Sequence, residues 1–281
     1  MNNMRLTYKK VLNRPKQPGW KRTLGRYYNL IKSAFWQQKN YRFLSTSINS
    51  ELLKHEIFSH QTILLRNLTG LNRKLQKNKL INLKISLPWF NGLILKPGQI
   101  FSFWFILGKT TYRRGFVDGM VLRNGEIVAE VGGGLCQLSN LIYWMTLHTP
   151  LTVTERWRHG FDVFPDVDRT QPFGSGATIA YPSIDLKIKN DTSFIFQLKL
   201  NLTSTYLQGQ WRCEQPIPFY YKVYEQDHRF IPNPWGGYLR HNKIYRDIFS
   251  KNSGKLLATD FITENLSRLR YDPLISELKK N

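Results

Sequence analysis

The sequence predicts an α+β protein: a mixed or antiparallel sheet with one cysteine-bearing helix, followed by a β-rich C-terminal region. Three observations predict it. Leu138, Leu141, Ile142, Met145 and Leu147 recur at helical spacing directly behind a triple glycine. Short strand-like runs flank that helix between turn residues. From residue 193 onward, runs such as FIFQLKL and TYLQGQWR follow one another across polar turns with no helical period.

Taken in order, residues 20–36 read WKRTLGRYYNLIKSAFW. Trp20, Leu24, Tyr27, Tyr28, Ile31 and Phe35 fall on one side of a helix, with Lys21, Arg22, Arg26 and Lys32 interleaved on the other. An aromatic stripe of this period usually packs on its own core, which is the first expectation. The second is a helix lying on an anionic membrane surface. Residues 72–92 read as a helix that Pro88 kinks or ends, with Gly92 closing it. After the Pro97–Gly98 turn, IFSFWFIL (100–107) reads as a buried strand. Asn124–Gly125 centres a hairpin. The glycine run 132–134 then opens the helix from Cys136 to His148, which Pro150 stops. Strands are expected near 151–157, 176–181 and 184–189, then near 218–225, 243–249 and 255–263. Pro232, Pro234, Gly236 and Gly237 form a loop between them. The organisation expected is a basic, partly helical arm over 1–70, a central domain over 71–190 and the β-rich region over 191–281.

Composition narrows the function classes. Of 281 residues, 41% are hydrophobic and 14% aromatic, which excludes general disorder. Two cysteines are too few for a disulfide scaffold or a zinc ribbon, and neither metal nor cofactor is expected. His55 and His60 are spaced i, i+5 and do not share a helix face as a metalloprotease pair would. No run of about 18 apolar residues occurs, and the start lacks the apolar core of a secretory signal. A cytosolic place, or a peripheral one at the inner membrane face, is therefore expected. The formal charge is +22, and residues 1–97 hold 19 basic residues against two acids, Glu51 and Glu56. Such an asymmetry points to a polyanionic neighbour. No helix-turn-helix, zinc-finger or RNP-like signal accompanies it, so sequence-specific nucleic-acid binding is not expected.

The stretch that carries chemistry is VGGGLCQLSNLIYWM, residues 131–145. Gly132, Gly133 and Gly134 allow positive φ and a close approach to a ligand. Cys136 would stand at a helix N-terminus, a position that lowers thiol pKa and favours the thiolate. A nucleophile also needs a base and an oxyanion site. His159 returns 23 positions later, and Asp185, or Asp162 as the weaker choice, would orient its ring. Backbone N–H groups near Cys136, with Gln137 or Asn140, would form the oxyanion site. The plainer reading is a glycine turn before a buried cysteine, which is a common arrangement. Cys213 reads as structural, and a pairing with Cys136 stays open. His148 reads as a cationic cap of the helix C-terminus.

Residues 80–190 resemble the VanW family. The resemblance rests on NGLILKPGQIFSFW (91–104), GGGLCQLSNLIYWMTLHTPLT (132–152), RHGFDVFP (158–165) and IDLKIKND (184–191). Gly132, Gly133, Gly134, Cys136, Gln137, Ser139, His159 and Asp185 sit on its motif positions. The resemblance implies a setting in the cell envelope and glycopeptide resistance, and some members carry peptidoglycan-binding modules. One departure is Gly176–Ala177–Thr178, where relatives commonly show Asp–Ala–Thr. The expected activity is Cys136–His159 acyl chemistry on a cell-wall peptide or its precursor. The rival is a non-catalytic module binding an anionic envelope precursor or a membrane surface.

Overall fold

A computed structural model of the chain describes residues 18–65, 73–123, 125–163, 171–234 and 236–273. The α+β class holds, with antiparallel sheets and a β-rich C-terminal region. Residues 1–17 of the basic arm and Asn124 of the expected hairpin turn lie outside the described residues.

Helix α1 (Gly19–Asn40) opens the chain and precedes strand β1 (His55–Ile63). Helix α2 (Arg73–Phe90) carries Pro88 inside its last turn and runs only two residues past it. Strands β2 (Leu93–Leu95) and β3 (Ile100–Ser102) follow. The aromatic run 100–107 is not one strand as expected: its second half is the short helix α3 (Phe103–Leu107). The physical reason is Ser102, whose hydroxyl accepts from Phe105 N at 3.2 Å and starts a helix in mid-run. The hairpin β4 (Asp118–Arg123) and β5 (Glu126–Val131) leads into helix α4 (Cys136–Leu147). Strands β6 (Thr152–Glu155), β7 (Phe161–Asp162) and β8 (Lys187–Lys189) follow it. Residues 176–181 form isolated bridges rather than a strand, through Thr178 to Trp157 and Ala180 to Ile184.

The remaining strands are β9 (Phe196–Leu202), β10 (Tyr206–Cys213), β11 (Phe219–Pro232), β12 (Tyr238–Ser250) and β13 (Leu256–Leu269). The loop holding Asn233 and Gly237 joins β11 to β12, closed by Asn233 N donating to Gly237 O at 2.9 Å. One sheet has the order β1-β10-β9-β2, a second β11-β12-β13-β7 and a third β3-β8-β6. The first sheet draws strands from all three segments of the chain, the basic arm, the centre and the C-terminal third.

α4 is the centre of the core. Nine of its twelve residues are buried, and it lies against β10 and β1. Its Met145 packs where a side chain at Gly209 of β10 would stand. Trp211 of β10, fully buried, donates its indole N–H to Thr146 Oγ1 at 3.0 Å, so the contact is both apolar and hydrogen-bonded.

Candidate functional site

α4 begins at Cys136 because the turn before it is locked. Gly132 has φ +78° and Gly134 φ +94°, conformations that side-chain-bearing residues rarely adopt. Gly133 lies directly on the backbone of Gly119 in β4, which leaves no room for a Cβ at either position. Asn82 of α2, fully buried, clamps the crossing. Its Nδ2 donates to Val117 O and Gly133 O, both at 2.9 Å, and its Oδ1 accepts from Val117 N at 2.9 Å. Thr110 crowds Gly132, and the Lys79 side chain crowds Gly134. What the three glycines approach closely is the protein itself.

The polar residues at the start of α4 are spent on a neighbouring segment. The Cys136 Sγ–H donates to Ile179 O at 3.8 Å, and Ser139 Oγ–H donates to Ala177 O at 2.6 Å. Asn140 Oδ1 accepts from Ala177 N at 2.7 Å. Residues 177–179 thus run across the first turn of α4, and its side chains satisfy their backbone groups. That is why this stretch has no partner strand. Gln137 instead turns to β1, where its amide N–H donates to Thr62 Oγ1 and Ile63 O, each at 2.9 Å. Its Oε1 is buried without a partner among the described residues.

The thiol expectation is corrected. Burial pushes the Cys136 thiol up, not down, because desolvation of a thiolate outweighs its backbone hydrogen bonds. His159 is half-buried just before β7, and its carbonyl accepts from Ser267 Oγ at 3.2 Å. Burial lowers its pKa, and its ring hydrogen-bonds to none of the described residues. Asp185 lies elsewhere in its bonding. Its carboxylate accepts from Ser102 Oγ at 2.6 Å, Trp104 N at 3.1 Å and Leu186 N at 2.9 Å, anchoring the start of α3. Burial raises its pKa to about 6 against those hydrogen bonds. Asp162 is held in a buried ion pair with Arg240 at 3.1 Å and accepts from Tyr271 OH at 3.0 Å. Among the described residues, no hydrogen bond joins Cys136, His159 and Asp185.

His148 does cap α4, but as a neutral ring. It stacks on Phe58 with centroids 3.8 Å apart, its Nδ1 meets Trp144 O at 3.0 Å, and burial drops its pKa to about 4. A cation at this helix end is therefore replaced by a neutral N–H donor. Both cysteines are free thiols, with Cys213 buried on β10. No three His, Cys, Asp or Glu side chains gather as a metal site among the described residues.

A second feature was not read from the sequence. A cavity of about 600 Å³ opens between α4, β6 and the β12–β13 hairpin, lined by Tyr143, Leu147, Val153, Arg156, Arg246 and Thr263 among others. Arg156 is the unusual wall. Its guanidinium donates from Nε to Gly176 O at 2.8 Å, from Nη2 to Gly174 O and weakly from Nη1 to Thr263 Oγ1 at 3.4 Å. Burial lowers its pKa, and no acid pairs with it among the described residues. It lies 5.0 Å from the Tyr143 ring. Tyr143 is 2% exposed, and its hydroxyl has no hydrogen-bond partner among the described residues. Arg246 closes the far side, held by Asp260 at 2.6 Å and by Thr149 O at 3.1 Å. The legible signal was the pair Arg156 and Arg158 around Trp157. A period of two puts both on one face, and only Glu155 stands nearby to balance them. Glu155 is in fact taken by Lys187 at 2.7 Å.

Comparison with known proteins places this arrangement. The family model described as "VanW like protein" matches residues 78–212, a span that holds Cys136, Tyr143, Arg156, His159 and Asp185 but not Arg246. The chain is 31% identical over 225 residues to "Vancomycin B-type resistance protein VanW" of Enterococcus faecalis (strain ATCC 700802 / V583), covering 80% of this chain and 82% of that protein. It is 29% identical over 143 residues to "Uncharacterized protein YoaR" of Bacillus subtilis (strain 168), covering 51% of this chain and 44% of that one. No solved structure matches the chain.

Proposed function

Because this chain belongs to the VanW family, we propose that it is an accessory protein of glycopeptide resistance or cell-wall metabolism that binds an anionic cell-wall peptide or precursor. In this reading the ligand's carboxylate enters the cavity beside α4, and Cys136 is a packing residue. One observation carries it: Arg156 is a part-buried guanidinium that pairs with no acid among the described residues, and it lines the same cavity as Tyr143, whose ring lies 5.0 Å from it. A partly desolvated charge gains from a neutralising partner, and a carboxylate takes a guanidinium's parallel N–H groups well. Three of the five Arg156 N–H groups go to protein acceptors, which leaves two for a ligand. Leu147, Leu151 and Val153 supply an apolar wall for the rest of it.

The hydrolase alternative has one observation in its favour. Burial lowers the His159 pKa, which favours the neutral form a general base requires. Against it stand the raised Cys136 thiol and an Asp185 already committed to α3. Calorimetric titration with an uncrosslinked cell-wall stem peptide decides between them. The free-acid peptide should bind and its C-terminal amide should not. Arg156→Gln should weaken binding by about 2 kcal/mol, whereas Cys136→Ala should leave it unchanged. Equal binding of acid and amide would sink the carboxylate site. Cleavage of the peptide by wild type but not by Cys136→Ala would restore the catalytic reading.

A further inference from the structure

α1 is an amphipathic helix turned inside out. Trp20, Leu24, Tyr27, Tyr28, Ile31 and Phe35 are each between 60% and 70% exposed. At 100° per residue they fall in one narrow stripe along the helix. The side turned to the rest of the protein is the more polar one. Asn29, Ser33, Trp36, Gln37 and Asn40 are half-buried there. Leu30, Ser33, Ala34 and Gln37 face Tyr181 and Pro182, and Lys187 Nζ sits 3.5 Å from the Trp36 ring. The expectation that the stripe packs on its own core is therefore not met among the described residues. Tyr41 at 67% and Phe43 at 54% exposure extend the apolar surface past the helix end. A continuous apolar strip of this size marks an interaction surface.

We propose that this stripe is an interfacial anchor that seats the protein on an anionic bilayer surface. The charge around it selects that occupant. Lys21, Lys32 and Lys39 border the stripe on one flank, Arg26 lies on the other side of the helix, and the helix contains no acid. The first 50 residues hold 11 basic side chains and no acidic one. Apolar stripe and basic border together match an acyl layer rimmed by anionic headgroups, and Trp and Tyr suit that boundary. Pairing with a second copy through the same face would bring these like charges together, which disfavours a dimer. No helix among the described residues is long and apolar enough to cross a membrane, so the attachment is peripheral. It is independent of what the cavity beside α4 binds.

The full chain is tested by co-sedimentation with phosphatidylcholine vesicles and with vesicles that also contain phosphatidylglycerol. Binding should require the anionic lipid and weaken with salt. Ile31→Ser combined with Phe35→Ser should weaken it at least about tenfold with the unfolding midpoint unchanged, since both side chains are exposed. Lys21→Gln and Lys32→Gln should each weaken it about fivefold. Quenching of Trp20 by bromine-labelled acyl chains, read as wild type minus Trp20→Phe, gives a second measure that does not rely on those variants. Equal binding by the double variant, equal binding to both vesicle types, or no quenching of Trp20 would each overturn the proposal. So would a wild-type dimer that the double variant converts to monomer while vesicle binding is unchanged.

Discussion

Helices α1 and α4 carry apolar stripes of the same period, and the molecule uses them in opposite ways. α4 buries nine of twelve residues between β1, β10 and the 176–179 segment, and even Ser139 and Thr146 reach acceptors inside. α1 presents its stripe outward and rests on the rest of the protein by its polar side. The difference lies in what surrounds each helix in the chain. α4 sits between the β4–β5 hairpin and β6, with sheet on either side of it in sequence. α1 is followed by a 3-10 turn and a bridged connection to β1, and among the described residues no element faces its stripe. Periodicity reports that a stripe exists; only the tertiary fold reports what covers it.

This contrast can be broken at several points. Leu141→Ala in α4 should cost the most, about 4 kcal/mol in denaturant unfolding, because the site is fully enclosed. Asn82→Ala should follow at about 3 kcal/mol, since it strands Val117 N and Gly133 O in the interior. A loss below about 1 kcal/mol would mean that the glycine crossing holds without its clamp.

His148 gives a smaller, pH-dependent effect. Its folded pKa of about 4 lies below the ordinary imidazole value of 6.5, so the unfolded chain binds more protons between those values. Its contribution is therefore present near neutrality and is lost as pH falls through that window. Relative to His148→Gln, wild type should lose about 2 kcal/mol between pH 7 and pH 5. Asp185 works in the opposite direction. Its raised pKa of about 6 makes the folded state gain on acidification through 6 toward 3.8, so only the difference between the two proteins isolates His148. The smallest change belongs to α1. Ile31→Ser should alter stability by no more than about 0.5 kcal/mol, and a larger loss would mean that the stripe is packed after all.

Much of the fold was legible because local chemistry agreed with the outcome. The helix beginning at Cys136 and the long strands after residue 193 follow from spacing and turn residues alone. Two elements were not legible, for one reason. At 100–107 and at 176–181 the backbone is governed by distant side chains: Asp185 with Ser102 in one case, Ser139 and Asn140 in the other. The candidate site shows the same limit. Gly132–Gly134 and Cys136 stood out by type, yet their neighbours are the protein's own backbone. Arg156 and Tyr143 belong to no motif, and only the fold sets a guanidinium that pairs with no acid among the described residues beside a cavity.

The position of β1 has a consequence for how the protein is made. Gln61 of β1 meets Gln208 of β10 across 147 positions of chain. At a synthesis rate of roughly 5–20 residues per second, β1 waits on the order of ten seconds for its partner to leave the ribosome. Throughout that wait its inward-facing Ile57 and Phe58 lack β10 beside them, and for the first half of it they lack α4 as well. Closing so long a loop also places this pairing among the slow steps of folding. The nascent chain is thus exposed to chaperones, and to misassociation, along the strand it makes first and pairs only once β10 has emerged.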